Sequence, residues 1–348
     1  MARAIDLARL GLGRTSPNPI VGAVILDADG AVAGEGFHAG PGGPHAEVEA
    51  LWRAGERARR GTAVVTLEPC AHTGRTPPCT EALLTAGVTR VVYAVADPNP
   101  VAAGGGEALR AAGVHVRAGL LAAEAGRANE AWLHAVRTGR PFVIWKYAAG
   151  LDGRVAAVDG SSRWITGEAA RADVHRLRAE CDAVLVGSGT VLADDPQLTV
   201  RTPDGPASRQ PLRVVLDSAG RTPAGARVRD GAAPTVILTA ADVPAGDGGL
   251  DLSAVLRLLH DRGVRSVLLE GGPTLAGSFL QEDLIDRVEG YVAPLLIGGG
   301  GLPALAGGGA ATIADACRLR LDAVERFGDD VRLTARPVRA TSAIRHGG

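Results

Sequence analysis

Short β-branched runs alternate with Ala-, Leu- and Arg-rich stretches of helical period from one end of the chain to the other, which is the pattern of an α/β protein. In the first half, Val21–Leu26, Val32–Gly36, Ala63–Leu67 and Val91–Ala96 predict strands. Helices are predicted at Ala4–Leu10, Ala46–Arg59, Thr80–Ala86, Gly105–Ala112 and Ala122–Val136. The last of these runs into Arg137-Thr138-Gly139-Arg140-Pro141, where glycine and then proline interrupt the chain before a strand at Phe142–Tyr147. A domain boundary is expected there, giving domains 1–140 and 141–340 and a frayed tail at 341–348. The second half continues with strands near Ala183–Gly187, Arg213–Asp217, Thr235–Thr239, Ser266–Glu270 and Val288–Val292. Ala169–Ala179, Leu252–Asp261 and Leu275–Gln281 read as helices, and the glycine stretches Gly298–Gly301 and Gly307–Gly309 as loop. No sequence period repeats between the halves, so the two domains are expected to differ.

Composition narrows the class. A chain of 348 residues with 46% apolar and 22% charged positions has the make-up of a globular protein of about two domains. A net charge of −1 and 3% aromatic residues argue against nucleic acid as a partner. Arg3, Asp6 and Arg9 interrupt the first apolar stretch, and no apolar run reaches membrane-spanning length, so a cytoplasmic chain without a membrane partner is expected. Four cysteines in a chain this long do not make a disulfide framework; spaced as they are, metal ligation or plain burial is expected of them. Of 37 basic residues only Lys146 is lysine, and of three asparagines Asn18 and Asn99 both stand inside Pro-Asn-Pro. Rare letters retained against such a bias suggest chemistry that a commoner residue does not supply.

The clearest chemistry lies in the first half. Pro44-His45-Ala46-Glu47 precedes a helical run, Glu68-Pro69-Cys70 follows a strand, and eight residues separate Cys70 from Cys79. One imidazole and two thiolates make three ligands, and a zinc ion with three protein ligands keeps its fourth position for water. His45 and Cys79 fall at predicted helix N-termini, where the dipole favours the thiolate that the metal requires of Cys79. Glu47, two residues after His45, can reach such a water without being a ligand, taking its proton and passing it to a departing amine. The competing readings are a structural zinc site with His72 as fourth ligand, or two core cysteines with a surface histidine. Cys181 and Cys317 have no partners at ligand spacing and are expected to be core residues.

His-Ala-Glu with Pro-Cys and a second Cys is similar to the zinc-dependent nucleobase and nucleotide deaminases. The eight-residue gap in Cys70-Ala71-His72-Thr73-Gly74-Arg75-Thr76-Pro77-Pro78-Cys79, preceded by Val65-Thr66-Leu67-Glu68-Pro69, resembles one family, the bifunctional riboflavin-biosynthesis deaminase/reductases. Ser16-Pro17-Asn18-Pro19-Ile20-Val21-Gly22, Gly34-Glu35-Gly36-Phe37-His38 and Asp97-Pro98-Asn99-Pro100 resemble that family's other blocks, and the resemblance covers residues 2–336. It implies a cytidine-deaminase-like three-layer α/β/α domain with zinc on His45, Cys70 and Cys79, and Glu47 as proton shuttle. It also implies a pyrimidine pocket of Asn18, His38, His72, Arg75, Asp97 and Asn99. Amide and carboxylate groups match the edges of an aminopyrimidinone, and Arg75 suits a ribose phosphate. Asn and Asp beside Pro are also common turn formers, which leaves a turn role open for each.

The second half lacks a dinucleotide-binding Gly-x-Gly-x-x-Gly after its first strand. It offers Leu268-Leu269-Glu270-Gly271-Gly272-Pro273-Thr274-Leu275, a strand running into glycines and then a helix, which reads equally as a phosphate cradle and as a tight turn. Val186-Gly187-Ser188-Gly189-Thr190 gives a second glycine-lined turn. Lys146–Gly153, Trp164–Gly167, Thr190–Arg201 and Glu270–Thr274 resemble the reductase half of the same family. That resemblance implies a dihydrofolate-reductase-like α/β fold using NADPH, with cofactor contacts at Ala148, Trp164, Thr190, Asp194, Ser218, Gly272, Pro273, Thr274, Leu275, Ala276, Gly277 and Ser278. Substrate contacts are implied at Ser162, Arg178, Leu198, Arg201 and Glu270. Arg178 and Arg201 are candidate phosphate clamps, the alternative for each being a solvated arginine. Lys146 is expected to be catalytic at the sugar oxygen. The expected partners are small phosphoribosylaminopyrimidine substrates and further copies of the chain in a homo-oligomer. Gly150, where the family has Ser, and Leu295, where Lys is common, depart from the pattern.

Overall fold

The computed structural model describes residues 1–73, 77–246 and 248–339; Arg75 and the expected tail at 341–348 lie outside the described residues. The chain divides into two compact units, Met1–Pro141 with Leu259–Arg265, and Phe142–Leu258 with Ser266–Gly348.

The first unit is a five-stranded sheet, in spatial order β2-β1-β3-β4-β5, built from β1 (Gly22–Leu26), β2 (Val32–Phe37), β3 (Thr62–Leu67), β4 (Arg90–Val95) and β5 (His115–Ala118). β1 pairs antiparallel with β2 and β3, whereas β3, β4 and β5 run parallel. Helices α1 (Ala2–Arg9), α2 (Ala46–Ala54), α3 (Cys79–Thr85), α4 (Gly105–Ala111), α5 (Ala122–Ala128) and α6 (Glu130–Thr138) complete it. The alternation of a strand sends successive side chains to opposite faces. Accordingly Ala23, Ile25, Ala63, Val65 and Val91 pack with Ala46, Ala50, Leu83 and Leu109 on one face. On the other, Val24 and Val64 meet Ala4 and Leu7, Ala94 meets Ile5 and Ala125, and Leu67 meets Trp132 and Leu133. The result is three layers, helix on sheet on helix.

Two predicted helices are shorter than their periodicity suggests. The one expected at Ala46–Arg59 ends at Ala54, because Gly55 takes φ +54° and the chain continues as a 3₁₀ turn over Gly55–Ala58. The one expected at Ala122–Val136 divides into α5 and α6 at Asn129, whose side-chain oxygen accepts the Ile20 N–H at 3.3 Å. Strand β5 was not predicted; its largely exposed sequence His-Val-Arg-Ala shows no apolar run.

In the second unit an eight-stranded sheet carries β6 (Phe142–Gly150), β7 (Ala183–Gly187), β8 (Leu212–Leu216), β9 (Thr235–Leu238), β10 (Ser266–Leu269), β11 (Arg287–Ala293), β12 (Leu319–Phe327) and β13 (Asp330–Pro337), in the order β9-β8-β7-β10-β6-β11-β13-β12. The six strands from β9 to β11 are parallel, and β13 and β12 close the sheet antiparallel. Parallel strands covered on both faces read as unbroken apolar runs, as in Ala183-Val184-Leu185-Val186 and Val267-Leu268-Leu269, all fully buried. The β12–β13 hairpin escaped prediction because β12 is exposed along nearly its whole length and alternates charge with apolar residues. Helices α7 (Glu168–Glu180), α8 (Ser188–Asp194) and α10 (Pro273–Gln281) belong to this half, as does α9 (Leu252–Asp261) up to Leu258; α8 begins where the sequence suggested only a glycine-lined turn. Among the described residues no helix is long and apolar enough to cross a membrane.

The contact that matters most for chemistry is between α2 and β2. A Cβ on Gly34 would stand 2.2 Å from the Ala50 carbonyl oxygen, and one on Gly36 would stand 2.4 Å from that of Ala46. The helix meets these glycines with Ala46, Ala50 and Ala54, so backbone rests nearly on backbone. Gly36→Ala must push the start of α2 outward. We expect it to cost about 1–3 kcal/mol, the usual range for overpacking, and to lower bound zinc, checked by thermal unfolding and metal analysis.

Candidate active sites

The loops that follow the carboxyl ends of parallel strands converge on one edge of the first sheet, the usual place for a site in an α/β fold. His45 caps the start of α2, Cys70 follows β3, Cys79 is the first residue of α3, and Asp97 and Asn99 follow β4. Ligand atoms of His45, Cys70 and Cys79 all lie within 4.8 Å of one another. His45 Nδ1 is 3.1 Å from Cys79 Sγ and 3.7 Å from Cys70 Sγ, and the Cys79 amide donates to Cys70 Sγ at 3.4 Å. The Cys70 thiol is pushed down to about 4, first by the hydrogen bond from Cys79 and, against burial, by His45 and the Cys79 amide. One soft imidazole and two buried thiols, one of them readily ionised, suit zinc. Among the described residues no other group of three such side chains gathers in this way, and His72 is not within this one. The four-ligand structural reading therefore lacks its fourth ligand.

Glu47 is 3% exposed, and burial pushes its carboxyl up. His38 donates Nδ1–H to the Pro44 carbonyl at 3.0 Å, which leaves Nε2 to accept from the Asn18 amide at 3.1 Å. Burial lowers the His38 pKa, so the ring is neutral and fixes which way Asn18 presents its amide. His72 carries a buried Nδ1 without a hydrogen-bond partner among the described residues. Asp97 and Asn99 do make the turns that their Pro neighbours suggested: Asp97 Oδ1 accepts the Asn99 N–H at 2.8 Å, and Asn99 Oδ1 accepts the Val101 N–H at 3.1 Å. Beneath them buried Glu68 accepts the Asp97 and Gly106 amides at 3.1 and 2.8 Å, tying the loop after β4 to α4.

The second unit holds a cleft of about 760 Å³. Lys146, Ser162, Arg178, Leu198, Arg201 and Glu270 line it, as do Ala148, Trp164, Thr190, Asp194, Ser218, Gly272, Pro273, Thr274, Leu275 and Ser278. Ala276 and Gly277 do not: Ala276 is fully buried, and a Cβ on Gly277 would lie 1.8 Å from the Ala306 carbonyl. They occupy the inner face of α10, which a contiguous segment could not separate from the outer one. Thr190 Oγ1 accepts the Gly272 amide at 3.0 Å, joining the two glycine-rich turns across the cleft. Arg163, Arg171 and Arg221 also line it beside Arg201, and this concentration of guanidinium groups suits a ligand bearing several phosphates, as NADPH does. Arg171 stacks 4.5 Å from the centroid of Trp164, which is 67% exposed at the rim.

Comparison with known proteins settles the family. Residues 1–95 match the cytidine and deoxycytidylate deaminase zinc-binding region, and residues 141–333 match the RibD C-terminal domain. The riboflavin biosynthesis protein RibD of Mycobacterium tuberculosis (strain ATCC 25618 / H37Rv) is 50% identical over 337 residues, covering 96% of this chain and 95% of that one. The chain belongs to the RibD family. Acinetobacter baumannii RibD superposes with a TM-score of 0.88 at 42% identity, covering 97% of this chain and 98% of that one. The Thermotoga maritima diaminohydroxyphosphoribosylaminopyrimidine deaminase/5-amino-6-(5-phosphoribosylamino)uracil reductase does so at 0.87 and 38%, covering 97% of each chain. The chain is thus a bifunctional deaminase/reductase of riboflavin biosynthesis, with a cytidine-deaminase-like zinc-binding domain and a RibD reductase domain that uses NADPH.

Within that family setting, Arg171 and His175 are cleft residues that sequence reasoning passed over. Counting back from Arg178 by one helical turn and then another reaches both, since they share one face of α7. His175 Nδ1 accepts the Arg201 amide at 3.2 Å, and burial together with Arg178 and Arg201 holds its pKa at about 4. The two departures from the family pattern are neighbours: a Cβ on Gly150 would stand 2.7 Å from the Leu295 carbonyl oxygen, and Leu151 N–H donates to that oxygen at 2.9 Å. We expect Cys70→Ser and Cys79→Ser to strip zinc from the protein while Cys181→Ser and Cys317→Ser retain it. Inductively coupled plasma mass spectrometry on each purified variant checks this, and equal metal in all four would contradict the ligand assignment.

Proposed function

We propose that the first site deaminates 2,5-diamino-6-(5-phosphoribosylamino)pyrimidin-4(3H)-one at C2 and that the second reduces the ribosyl chain of the resulting 5-amino-6-(5-phosphoribosylamino)uracil to the ribityl form. The observation that carries the first half is the gathering of His45, Cys70 and Cys79 within 4.8 Å, with the buried carboxylate of Glu47 two residues from His45. These three residues would hold zinc, which when bound supplies an activated water. Glu47 takes a proton from the water that adds at C2 and passes it to the amino nitrogen as the C2–N bond breaks, so that ammonia leaves. Asn18, oriented by neutral His38, and His72, whose Nδ1 has no hydrogen-bond partner among the described residues, would read the edges of the pyrimidine together with Asp97 and Asn99, and Arg75 would take the ribose phosphate.

In the second cleft the cofactor residues that line it, Ala276 and Gly277 excepted, would hold NADPH, which when bound supplies the reducing equivalent to C1 of the sugar. Lys146 gives a proton to the ring oxygen as the C1–O bond opens and the lone pair of the substituent nitrogen takes that bond's place at C1. Ser162, Leu198 and Glu270 orient the sugar, and Arg201 meets the phosphate. The homo-oligomer belongs to the same proposal. Its support is β12, an edge strand with exposed Leu319, Leu321 and Val324, the kind of surface that a second copy can cover.

Ammonia release from the diaminopyrimidine phosphate, with cytidine as the comparison, tests the first activity. We expect Glu47→Gln to keep its zinc and to lose about 10²–10⁴-fold in release, the usual range for a missing general acid/base. Unchanged release sinks the shuttle. Lys146→Arg is expected to cut NADPH oxidation while leaving ammonia release nearly intact, and equal oxidation returns Lys146 to a bystander. Light scattering on the eluting protein reads its mass, and a monomer contradicts the assembly.

A further inference from the structure

The cleft of the second unit follows the carboxyl ends of four neighbouring parallel strands, with Lys146 on β6, Gly271 after β10, Gly187 at the end of β7 and Ser218 after β8. Three strand spacings of about 4.8 Å separate β6 from β8, which makes this line about 14 Å long. Its two ends differ. At β6 it holds Lys146. At β8 its lining includes Leu216, Leu250 and Leu252 beside Gly249, an apolar surface of the kind that covers a flat ring, and the loop that leaves β8 adds Arg221.

The turn after β8 decides which charge reaches that end. Asp217 follows the strand directly, but its carboxylate faces inward: it is 1% exposed, and its Oδ1 accepts the Arg221 N–H at 2.9 Å while its Oδ2 accepts the Thr222 N–H at 2.6 Å. The Gly220 N–H closes the turn on the Asp217 carbonyl at 3.1 Å, with Gly220 at φ +66°, a conformation that favours glycine. Arg221 comes out of this turn exposed. Its Nη2 donates to Ser188 Oγ at 3.1 Å, and among the described residues it makes no ion pair, so most of its five N–H groups are left for a ligand. Arg163 and Arg171 are differently placed. They donate to the Asp194 carbonyl at 2.8 Å and the Thr166 carbonyl at 2.6 Å, and both lie against the Trp164 ring.

We propose that Arg221 is the residue by which the reductase selects NADPH over NADH, its guanidinium meeting the 2′-phosphate that distinguishes the two. The proposal rests on the cofactor reading of this cleft and names the group that makes the choice. A carboxylate at the adenosine end of a dinucleotide site accepts from the ribose 2′-hydroxyl and favours the cofactor without the phosphate, whereas an arginine accommodates the phosphate. Here the acid at the end of β8 is spent inside its own turn, and the hydrogen bond that occupies Asp217 Oδ1 is the one that fixes the Arg221 backbone. One turn thus withdraws the carboxylate and presents the guanidinium, whose planar fork matches phosphate oxygens. With the reducing end of the cofactor at Lys146 on β6, its adenosine falls toward β8, where the leucines cover the ring.

Equilibrium binding tests this without turnover. Isothermal titration calorimetry of the full-length, zinc-loaded protein with NADP⁺ and with NAD⁺ gives the two dissociation constants and their ratio. The wild type is expected to bind NADP⁺ more tightly. Arg221→Gln is expected to lose on the order of 10–100-fold for NADP⁺, the scale of a charge-assisted hydrogen-bonded contact, and to hold NAD⁺ within about twofold. Arg171→Gln is expected to weaken both cofactors alike and so to keep the ratio. An Arg221→Gln chain that binds NADP⁺ as the wild type does, or that weakens both cofactors by one factor, overturns the proposal, as does a ratio lost in Arg171→Gln. A wild type that binds both cofactors equally sinks the selection alone, whereas one that binds neither sinks the cofactor reading with it. The ³¹P resonance of the 2′-phosphate in bound NADP⁺ gives a second readout. Its titration midpoint, about 6 for a free phosphate monoester, is expected to fall in the wild-type complex and to return toward the free value in Arg221→Gln. A midpoint that the wild type leaves unmoved overturns the proposal even if the variant binds too weakly to fit.

Discussion

The close seating of α2 on β2 sets the first site. His45 and Glu47, two positions apart, can serve as the proposed zinc ligand and proton shuttle only if the turn carrying them is held to within a fraction of an ångström, and a helix end alone is a soft support. Here Gly34 and Gly36 remove the side chains that would hold the helix away, and Ala46, Ala50 and Ala54 remove them from the other side. The helix backbone therefore has little freedom to slide. His45 and Glu47 inherit that rigidity, while Cys70 and Cys79 come from the loop after β3 and the start of α3, with Cys79 N–H on Cys70 Sγ joining the two. Glu68, anchoring the loop after β4 from below, extends the same rigidity to Asp97 and Asn99.

The second cleft is organised by charge. Its rim is rich in guanidinium groups, which attract a polyphosphate ligand but cannot donate a proton at neutral pH. A single ammonium can, and it stands among them.

Much of this was legible in the residues. Four strands of the first sheet and six of the second followed from apolar runs, and the His-x-Glu and Cys spacing pointed to three donors that the fold then gathers. What escaped had physical causes. The split at Asn129 depends on a side chain that finds the Ile20 amide 109 residues away, which no local period reveals. Strand β12 is exposed and charged, so it carries no buried face to betray it. Ala276 and Gly277 were grouped with the cleft because a linear segment does not say which face of a helix looks outward. The engagement of Arg178 by Glu270, 92 residues away, is likewise a tertiary fact. From sequence alone Arg178 and Arg201 looked alike, and only the fold distinguishes the one that is occupied.

One chain performs two steps in a fixed order, deamination before reduction. Mixing the purified protein with the diaminopyrimidine phosphate and NADPH, and following ammonia and NADPH in the same cuvette, tests it most directly. Ammonia is expected to appear first, NADPH oxidation to follow after a lag, and the two totals to converge on equal amounts. NADPH oxidation that proceeds without ammonia release, or ammonia release that is never followed by oxidation, would contradict it.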